Sequence, residues 1–360
     1  MKLKGKNILL ISPEMWGGLH VSKHHYAIHL AAMGNRVFFL GPPSYKSPTK
    51  LIGSSVSNLY LIKYSGFIRG IRLLPSLLQK ILIRRKFQEL QSTALVKFDI
   101  VWSFDNSVFF DFEAINQHAL CISHIVDLNQ DFNTIKAART ADLCLASSGC
   151  IKKKLLEYNP NTHFINHGYN YKRHKSAFNF GCSNQKLNVG YAGNFDIKYL
   201  NWALIEVLLK EFPNVIFNFA GMGRNNHYYK IRNFKNFKYI GLLPSEQLTY
   251  FYEQMDILVI CYKYEEYPDQ LANPHKMMEY LASGKMIVAT WTEEYADLNE
   301  QEMIKMVKTN DQFKKTFKEV VSNIDFWNSK ELLEKRRMIA RLNTYEQQIQ
   351  RVEDAISNSL

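Results

Sequence analysis

The chain has 360 residues, of which 46% are hydrophobic and 13% aromatic, and its formal net charge is +12. This length predicts two domains rather than one core, and the charge indicates anionic partners such as nucleotides, nucleic acid or an anionic membrane. Five cysteines without a C-x-x-C pair are typical of a cytosolic protein with reduced thiols, and no apolar run is long enough for a signal peptide or a membrane-spanning helix.

The first half of the chain begins with a βαβ pattern. Residues 7–12 form an apolar run that predicts a buried parallel strand, 21–33 predict a helix, and 37–40 predict a second strand. A dinucleotide-binding site would need G-x-G-x-x-G after the first strand and an acid at the end of the second. The chain has only Gly17-Gly18 at the first place and Gly41 at the second, which argues against an NAD-dependent enzyme.

Residues 46–90 are basic on an apolar background. Seven of the cations are Lys63, Arg69, Arg72, Lys80, Arg84, Arg85 and Lys86. The apolar stripe between them consists of Leu74, Leu77, Leu78, Ile81 and Leu82. A basic amphipathic helix can lie on an anionic membrane surface, but an ordinary domain helix with a solvated face fits the pattern equally well. Both interpretations stay open.

Polar groups stand near the end of another predicted strand. Residues 120–126 form an apolar run that contains His124 and is followed by Asp127. A single histidine in such a run is most often a core residue, whereas catalytic groups gather at the carboxyl ends of strands in this kind of fold. The position of His124 therefore favours a functional role without excluding a structural one.

The second half repeats the alternation after a polar, aperiodic segment. Residues 171–186 are rich in turn formers and indicate a linker. The sequence predicts an α/β protein with two Rossmann-like, doubly wound parallel-sheet domains that face each other across a cleft. The domains are expected at 1–170 and 187–328, and a C-terminal helix is expected in 329–360, over about 329–357.

Residues 273–290 read NPHKMMEYLASGKMIVAT and form the most specific pattern in the chain. The spacing predicts a helix with one buried apolar face, which consists of Pro274, Met277, Met278, Leu281 and Ala282. Asn273 is expected as the N-cap, Pro274 as the first helical residue and Gly284 as the left-handed end. A short buried strand is expected at 286–290.

Three polar side chains lie off the apolar face, His275, Lys276 and Glu279, and the pattern predicts that they share the exposed side of the helix. A helix N-terminus beside a lysine attracts an anion, and Glu279 lies roughly 7–8 Å further along the axis than Pro274. This offset suits a ligand with a phosphate at one end and a diol at the other. An ordinary i, i+3 pair on a solvated face is the alternative interpretation.

The same block resembles the P-x-K-x-x-E-Y-L-A-x-G-K-x-x-V-A-T segment of GT-B-fold glycosyltransferases in the "glycosyl transferases group 1" superfamily. The resemblance is strongest over residues 187–290 and looser over the first domain. It implies that the helix start at 273–276 takes the diphosphate of a nucleotide-sugar donor and that Glu279 holds the ribose hydroxyls. It also implies that the C-terminal helix crosses back to the first domain.

The resemblance implies further donor-binding positions. They are Gly17, Gly18, Gly193, Asn194, Lys198, Leu242 and Leu243. Gly17 and Gly18 match a glycine-rich turn near the donor phosphates and the acceptor. Gly193 and Asn194 form a turn that precedes Lys198, which is expected near the diphosphate. Leu242 and Leu243 are expected to provide backbone atoms near the nucleobase.

The resemblance also points to candidate catalytic residues. In the family a His or Asp at the strand end touches the transferred sugar, which makes His124 the first candidate and Asp127 the second. The chain departs from the commoner pattern at the acid eight residues before Glu279, where it has Leu271. Asp269 is the candidate substitute for that acid.

Several chemistries lack their motif. The chain has no G-x-S-x-G elbow, no H-E-x-x-H and no P-loop. It also has no D-x-D, so a metal-chelating donor site is not supported. The leaving diphosphate is therefore expected to be stabilised by helix N–H groups and by Lys198 and Lys276, with no metal and no cofactor besides the nucleotide-sugar substrate.

The sequence thus predicts a hexosyltransferase-like enzyme that moves a sugar from a nucleotide-sugar donor to a saccharide or lipid-linked acceptor, in cell-surface polysaccharide or glycolipid synthesis. A cytoplasmic location is expected, with the inner face of an anionic membrane as an additional partner and no nucleic acid. Two alternatives stay open. One is a GT-B-fold sugar-nucleotide epimerase or phosphorylase, and the other is a basic membrane- or nucleic-acid-binding protein without catalysis.

Overall fold

A computed structural model describes residues 2–17, 20–44, 48–115, 119–127, 133–170, 180–182, 185–223, 225–268 and 273–359. The chain divides into two compact units, one of Met1–Gly168 with Tyr345–Leu360 and one of Tyr169–Thr344. Each unit is built around a sheet that is wholly or mainly parallel. This is the α/β class that the sequence predicts.

The sheet of the first unit has eight strands within the described residues. They are β1 (Asn7–Ile11), β2 (Arg36–Leu40), β3 (Lys50–Gly53), β4 (Leu59–Lys63), β5 (Ile100–Ser103), β6 (Leu120–Ile125), β7 (Leu143–Ala146) and β8 (Thr162–Phe164). Their order is β3-β4-β2-β1-β5-β6-β7-β8, and only β3 and β4 pair in antiparallel fashion. The direction of winding reverses between β1 and β5, which is the doubly wound pattern.

Alternate residues of β1 enter two separate apolar layers. Leu9 and Ile11 pack in one core cluster, whereas Ile8 and Leu10 pack in the other. Because successive side chains of a strand point to opposite faces, both faces of this sheet are covered. That arrangement explains why the strands read as continuous apolar runs.

Within the part of the chain that the structure describes, four α-helices follow strands of the first unit. They are α1 (Ser22–Ala32), α2 (Ser76–Ala94), α3 (Thr134–Thr140) and α4 (Gly149–Leu156). Two short 3-10 helices, at Ile71–Leu73 and Phe112–Ala114, lie between them. The first predicted helix, 21–33, thus agrees with α1 to within a residue at each end.

The second unit has a six-stranded sheet within the described residues, and all neighbouring pairs are parallel. The strands are β9 (Asn188–Asn194), β10 (Ile216–Met222), β11 (Phe237–Gly241), β12 (Ile257–Ile260), β13 (Met286–Thr290) and β14 (Lys305–Val307). Their order is β11-β10-β9-β12-β13-β14. The winding reverses between β9 and β12, and ligands in such sheets bind outside the carboxyl ends of the strands at that point.

The helices of the second unit are α5 (Trp202–Glu211), α6 (Asn226–Ile231), α7 (Ser245–Glu253), α8 (Lys276–Ser283), α9 (Ala296–Glu300), α10 (Asn310–Ser322), α11 (Ile324–Trp327) and α12 (Lys330–Arg341). A 3-10 helix spans Glu293–Tyr295. Gly284 ends α8 in the left-handed conformation, with φ of 81°, as the sequence predicts.

A buried arginine attaches α12 to the end of α8. Arg336 is fully buried, and its Nη1 donates hydrogen bonds to the carbonyl oxygens of Gly284 (3.0 Å) and Trp327 (2.8 Å). Its Nε donates to the Met303 carbonyl at 2.6 Å. Because Gly284 directly follows α8, Arg336 holds the end of the helix that carries the best candidate site.

The prediction of one long C-terminal helix over 329–357 is wrong. The chain forms α12 in the second unit and α13 (Tyr345–Ser359) in the first. Between them, the Asn343 carbonyl accepts a hydrogen bond from the backbone N–H of Tyr169 at 2.8 Å, and Thr344 forms a β-bridge with Tyr169. The extended backbone that this pairing requires interrupts the helix.

The helix α13 completes the core of the first unit. Tyr345, Ile349 and Val352 belong to the same apolar cluster as β1, and the Tyr345 ring lies 2.4 Å from where Gly168 would carry a Cβ atom. No described helix has the length and apolar character needed to cross a membrane.

Candidate functional site

The second unit concentrates polar groups where its winding reverses. The strand β9 ends at Gly193-Asn194, β12 is followed by Tyr262, and the helix α8 begins above the same edge of the sheet. This is the location at which doubly wound sheets bind ligands.

Lys276 lies inside this site rather than on an exposed helix face. Its Nζ donates a hydrogen bond to the Tyr262 hydroxyl at 3.1 Å and lies 5.5 Å from the centre of the Tyr191 ring. A Cβ atom on Gly193 would lie 2.7 Å from Lys276 Cε and 3.0 Å from its Nζ. Glycine at 193 therefore leaves the space through which the lysine reaches the end of β9.

Glu279 is held by a second tyrosine. The Tyr252 hydroxyl, on α7, donates to Glu279 Oε2 at 2.9 Å, and Tyr252 is only 2% exposed. Burial and the adjacent Glu279 carboxylate raise the pKa of Tyr252 well above its usual range, so the phenol keeps the proton that it donates. One oxygen of the carboxylate is thus oriented by the protein.

The two charged groups of α8 shift each other's protonation. Burial raises the pKa of Glu279, although the Tyr252 hydrogen bond and the charge of Lys276 act in the opposite direction. Burial by itself lowers the pKa of Lys276, but Tyr262 and the Glu279 carboxylate outweigh it and the net shift is upward. The result is a half-buried ammonium and carboxylate one helical turn apart.

Three sequence expectations for this helix need correction. Lys276 and Glu279 do not lie with His275 on an exposed face, because tyrosines from β9, α7 and the loop after β12 cover them, while His275 itself is exposed. The helix begins at Lys276 with His275 at the cap position, so Asn273 is not the N-cap and Pro274 is not its first residue. Asn273 Oδ1 instead accepts a hydrogen bond from the Tyr295 hydroxyl at 2.7 Å.

The start of α8 is a candidate anion site. No side chain among the described residues caps it. The backbone N–H of Met277 donates a hydrogen bond to the Pro274 carbonyl oxygen at 3.0 Å. The first N–H groups of a helix need partners from outside the helix, and an anion supplies them well.

A second close approach lies beside Gly193. A Cβ atom on Gly221, at the end of β10, would lie 1.8 Å from the Gly193 carbonyl oxygen, and Gly221 has φ of 150°. Only glycine fits there. The sequence reasoning did not single out Gly221, although the A-G-M-G run after a predicted strand was the available signal.

The remaining donor candidates of the second unit surround this point. Asn194 Oδ1 accepts a hydrogen bond from the backbone N–H of Asp196 at 2.9 Å. Lys198 is exposed, with its Nζ 5.0 Å from the centre of the Tyr267 ring. After β11, Leu242 is 65% exposed and Leu243 packs partly against the core.

The candidates of the first unit have different environments. His124 is 1% exposed, its Nδ1 accepts a hydrogen bond from Trp102 Nε1 at 3.3 Å, and burial lowers its pKa well below the usual range, with His167 and Lys23 adding to the effect. Asp127 is exposed just beyond β6. Contact of either residue with a sugar stays a prediction. Gly17 has φ of 107° with open space around it, whereas Gly18 and Asp269 lie outside the described residues.

A cluster that the sequence reasoning missed adjoins Gly17. The rings of His20 and His24 stack at 5.2 Å, and both contact Trp16. His24 Nδ1 accepts from the backbone N–H of Val21 at 3.2 Å, so its Nε2 is the donor to the Met15 carbonyl at 3.0 Å. The signal was the i, i+4 spacing of His20 and His24 after the first strand.

Within the described ranges, no three His, Cys, Asp or Glu side chains are grouped in a way that could hold a metal ion. Of the acids after β12, Glu266 forms an ion pair with Lys263 at 3.2 Å.

Sequence comparison identifies no matching family model and no matching curated protein. Structural comparison finds similar folds over both units. Sucrose-phosphate synthase from Thermosynechococcus elongatus has a TM-score of 0.71 at 13% identity and 98% coverage of each chain. A glycosyltransferase from Rickettsia africae gives 0.69 at 13%, again with 98% of each chain covered. Anabaena HepE in complex with UDP-glucose gives 0.67 at 12%, covering 98% of this chain and 100% of HepE. The fold is therefore GT-B, as the resemblance of residues 187–290 implies.

Proposed function

We propose that this GT-B-fold chain is a glycosyltransferase that moves a sugar from a nucleotide-sugar donor to an acceptor hydroxyl. The observation that carries the proposal is the presence of Lys276 and Glu279 on one helix, at the point where the winding of the second sheet reverses. Each is held by its own tyrosine, Tyr262 for the ammonium and Tyr252 for the carboxylate. This arrangement offers one contact for an anion and one for a diol.

In this proposal the donor diphosphate lies at the start of α8. The ammonium of Lys276 and the N–H groups at the helix start are donors for its oxygens. The absence of side chains at Gly193 and Gly221 lets phosphate oxygens approach the backbone closely. Glu279 lies roughly 4.5 Å further along the helix axis, and its carboxylate accepts hydrogen bonds from the ribose hydroxyls.

The chemical step is cleavage of the bond between the sugar and the diphosphate. Negative charge grows on the departing diphosphate, and a cation that is already in place stabilises it without further reorganisation. Lys276 provides that cation, and Lys198 adds a second, more exposed one. We propose that the reaction needs no divalent metal for this purpose.

The structural neighbours indicate which donor to test first. HepE was solved with UDP-glucose, a trehalose-6-phosphate structure from E. coli with UDP-2-fluoro glucose, and a trehalose-phosphate synthase from Burkholderia vietnamiensis is described as UDP-forming. We propose a UDP-sugar as the donor, with GDP-, ADP- and CMP-sugars as the comparison. The proposed acceptor is a saccharide or lipid-linked saccharide of cell-surface polysaccharide or glycolipid synthesis, at the cytoplasmic face of a membrane and without nucleic acid.

Thermal stabilisation by a panel of nucleotide sugars tests the proposal. A ligand at about 100 times its Kd stabilises the folded state by about 2.7 kcal/mol, which raises Tm by several degrees. We expect one donor to do so with the wild type and less with Glu279→Gln. If no nucleotide sugar stabilises the protein, the proposal is contradicted. If the protein converts the donor into an epimer when no acceptor is present, the proposed reaction is epimerisation and not transfer.

A further inference from the structure

The first unit exposes several large aliphatic side chains within one short segment. The exposed residues within 68–81 are Ile68, Leu73, Leu77, Leu78 and Ile81. Leu73 is 89% exposed and Leu77 is 71% exposed. Isolated exposed leucines are ordinary, but a run of this kind marks an interaction surface.

The helix α2 presents this surface because its opposite side is fully used. The buried side of α2 consists of Gln79, Ile83, Phe87, Leu90 and Ala94. Leu77, Ile81, Arg84 and Arg85 recur at helical spacing on the other side, where the residues are exposed. The apolar residues occupy the first turns of this outer side, and the two arginines occupy the next turn.

The segment that carries these aliphatic residues is basic. Residues 63–86 contain seven Lys and Arg and no Asp or Glu. Lys80 pairs with Glu113 and Lys86 with Glu89, so these two cations are already neutralised. Arg69 and Arg85 are exposed beside the aliphatic residues. We define the docking surface as Ile68, Arg69, Leu73, Leu77, Leu78, Ile81 and Arg85.

The structure thereby changes the sequence-based picture of this region. Leu74 and Leu82 pack partly against the core of the first unit, and the Lys86 side chain is only 12% exposed. The apolar stripe and the basic residues are thus fewer than the sequence suggested, but those that remain lie on one side of α2 and in the turn before it.

We propose that the docking surface binds an anionic membrane. The aliphatic side chains enter the boundary between headgroups and acyl chains, and the arginines contact lipid phosphates, which is how interfacial basic helices bind. A second copy of this chain is a poorer occupant, because a symmetric contact through this surface would bring the exposed arginines of both copies into one interface. The proposal goes beyond donor chemistry, since no residue of the docking surface belongs to the donor site.

Vesicle co-sedimentation tests the proposal with the full chain and two double variants. Leu73→Ser with Leu77→Ser removes apolar contacts, and Arg69→Glu with Arg85→Glu reverses the charge. We expect wild type to bind vesicles that contain phosphatidylserine and each double variant to bind at least about tenfold more weakly. The matched control is Leu156→Ser, an exposed leucine on α4 that should leave binding unchanged. Donor hydrolysis should stay at the wild-type level in all variants.

A fluorescence experiment separates insertion from loose adsorption. Leu77→Trp places a reporter at a position where the native side chain is 71% exposed, and the wild-type chain with its five tryptophans gives the background signal. We expect a blue shift and quenching by brominated lipid only with anionic vesicles. Unchanged vesicle binding in both double variants, equal binding to uncharged phosphatidylcholine vesicles, or a reporter that responds only to self-association would overturn the proposal.

Discussion

The side chain of Lys276 occupies the space in which any residue other than glycine at position 193 would place its Cβ atom. The contact joins the end of β9 to the start of α8. The last residue of β9, Asn194, and the first residue of α8, Lys276, are 82 positions apart in the sequence. The position of the Lys276 ammonium therefore depends on the absence of a side chain at position 193.

We expect Gly193→Ala to displace Lys276 and lower donor use. The new methyl group would lie 2.7 Å from Lys276 Cε and 2.8 Å from the Tyr191 hydroxyl. The lysine tip can move but the buried Tyr191 ring cannot, so kcat/KM should fall by about tenfold or more, as when a preorganised donor is misplaced. Steady-state kinetics check this. Gly53→Ala is the control, because nothing lies within 4 Å of the corresponding Cβ position.

Glu279→Gln should weaken donor use through the ribose contact. The amide keeps the shape but loses the charge and one acceptor, and charge-assisted hydrogen bonds contribute about 1.5–3 kcal/mol each. The loss should appear in kcat/KM for the cognate donor. A value within about threefold of wild type would leave Glu279 without a role in binding. Glu246→Gln, at an exposed position of α7, is the matched control.

Tyr252→Phe should move the acid limb of the pH–rate profile. The donor contact needs the ionised carboxylate, so activity falls as the pH drops through the pKa of Glu279, which burial has already raised. Removing the Tyr252 hydrogen bond removes an influence that lowers this pKa. The limb should therefore shift to higher pH, while Lys276 and the neighbouring phenols of Tyr191 and Tyr280 keep their protons. If the acid limb does not shift in Tyr252→Phe, the Tyr252 hydrogen bond does not influence the pKa of Glu279 in the active enzyme. Tyr229→Phe is the control and should leave the limb unchanged.

Turnover in excess EDTA should match turnover with added Mg²⁺. Under those conditions Lys276→Ala should lose about 2–4 kcal/mol of transition-state stabilisation, mainly in kcat. Lys198→Ala should lose less, because Lys198 is exposed to solvent. Complete loss of wild-type activity in EDTA, restored by Mg²⁺ or Mn²⁺, would refute the metal-free mechanism. Lys210→Ala, an exposed lysine on α5, controls for general loss of charge.

Arg336→Leu should destabilise the second unit strongly. The guanidinium is buried and satisfies the carbonyl oxygens of Met303, Gly284 and Trp327. Leaving a buried carbonyl unpaired costs about 1–3 kcal/mol, so with three of them we expect a loss of about 3 kcal/mol or more in the free energy of unfolding. Chemical denaturation measures it. Arg341→Leu, near the end of the same helix and more exposed, should change stability little.

Local patterns were sufficient for much of the fold. The alternation of apolar runs with helical periodicity predicts β1, α1 and β2 to within about a residue, because neighbouring positions determine which face of an element is apolar. The left-handed end of α8 at Gly284 follows from local backbone chemistry as well.

The environment of the candidate site depends on contacts between distant segments. The sequence placed Lys276 and Glu279 on an exposed face, since nothing near them in the chain indicates that Tyr191, Tyr252 and Tyr262 cover that face. Asn273 has the chemistry of an N-cap, but Tyr295 takes its side-chain oxygen. The prediction of one continuous helix through 342–344 was wrong for the same reason, because Tyr169 pairs with the backbone at 343 and 344.

The placement of α13 in the first unit affects the order in which the chain can fold during synthesis. The segment Tyr169–Thr344 is synthesised before any of α13 exists, so the sequence of the second unit is complete before that of the first. The first unit, although synthesised earlier, waits with part of its apolar layer open until Tyr345 can fill the space beside Gly168. A chain that ends just after α12 would therefore leave the apolar layer of the older unit open, while the newer unit would have its whole sequence.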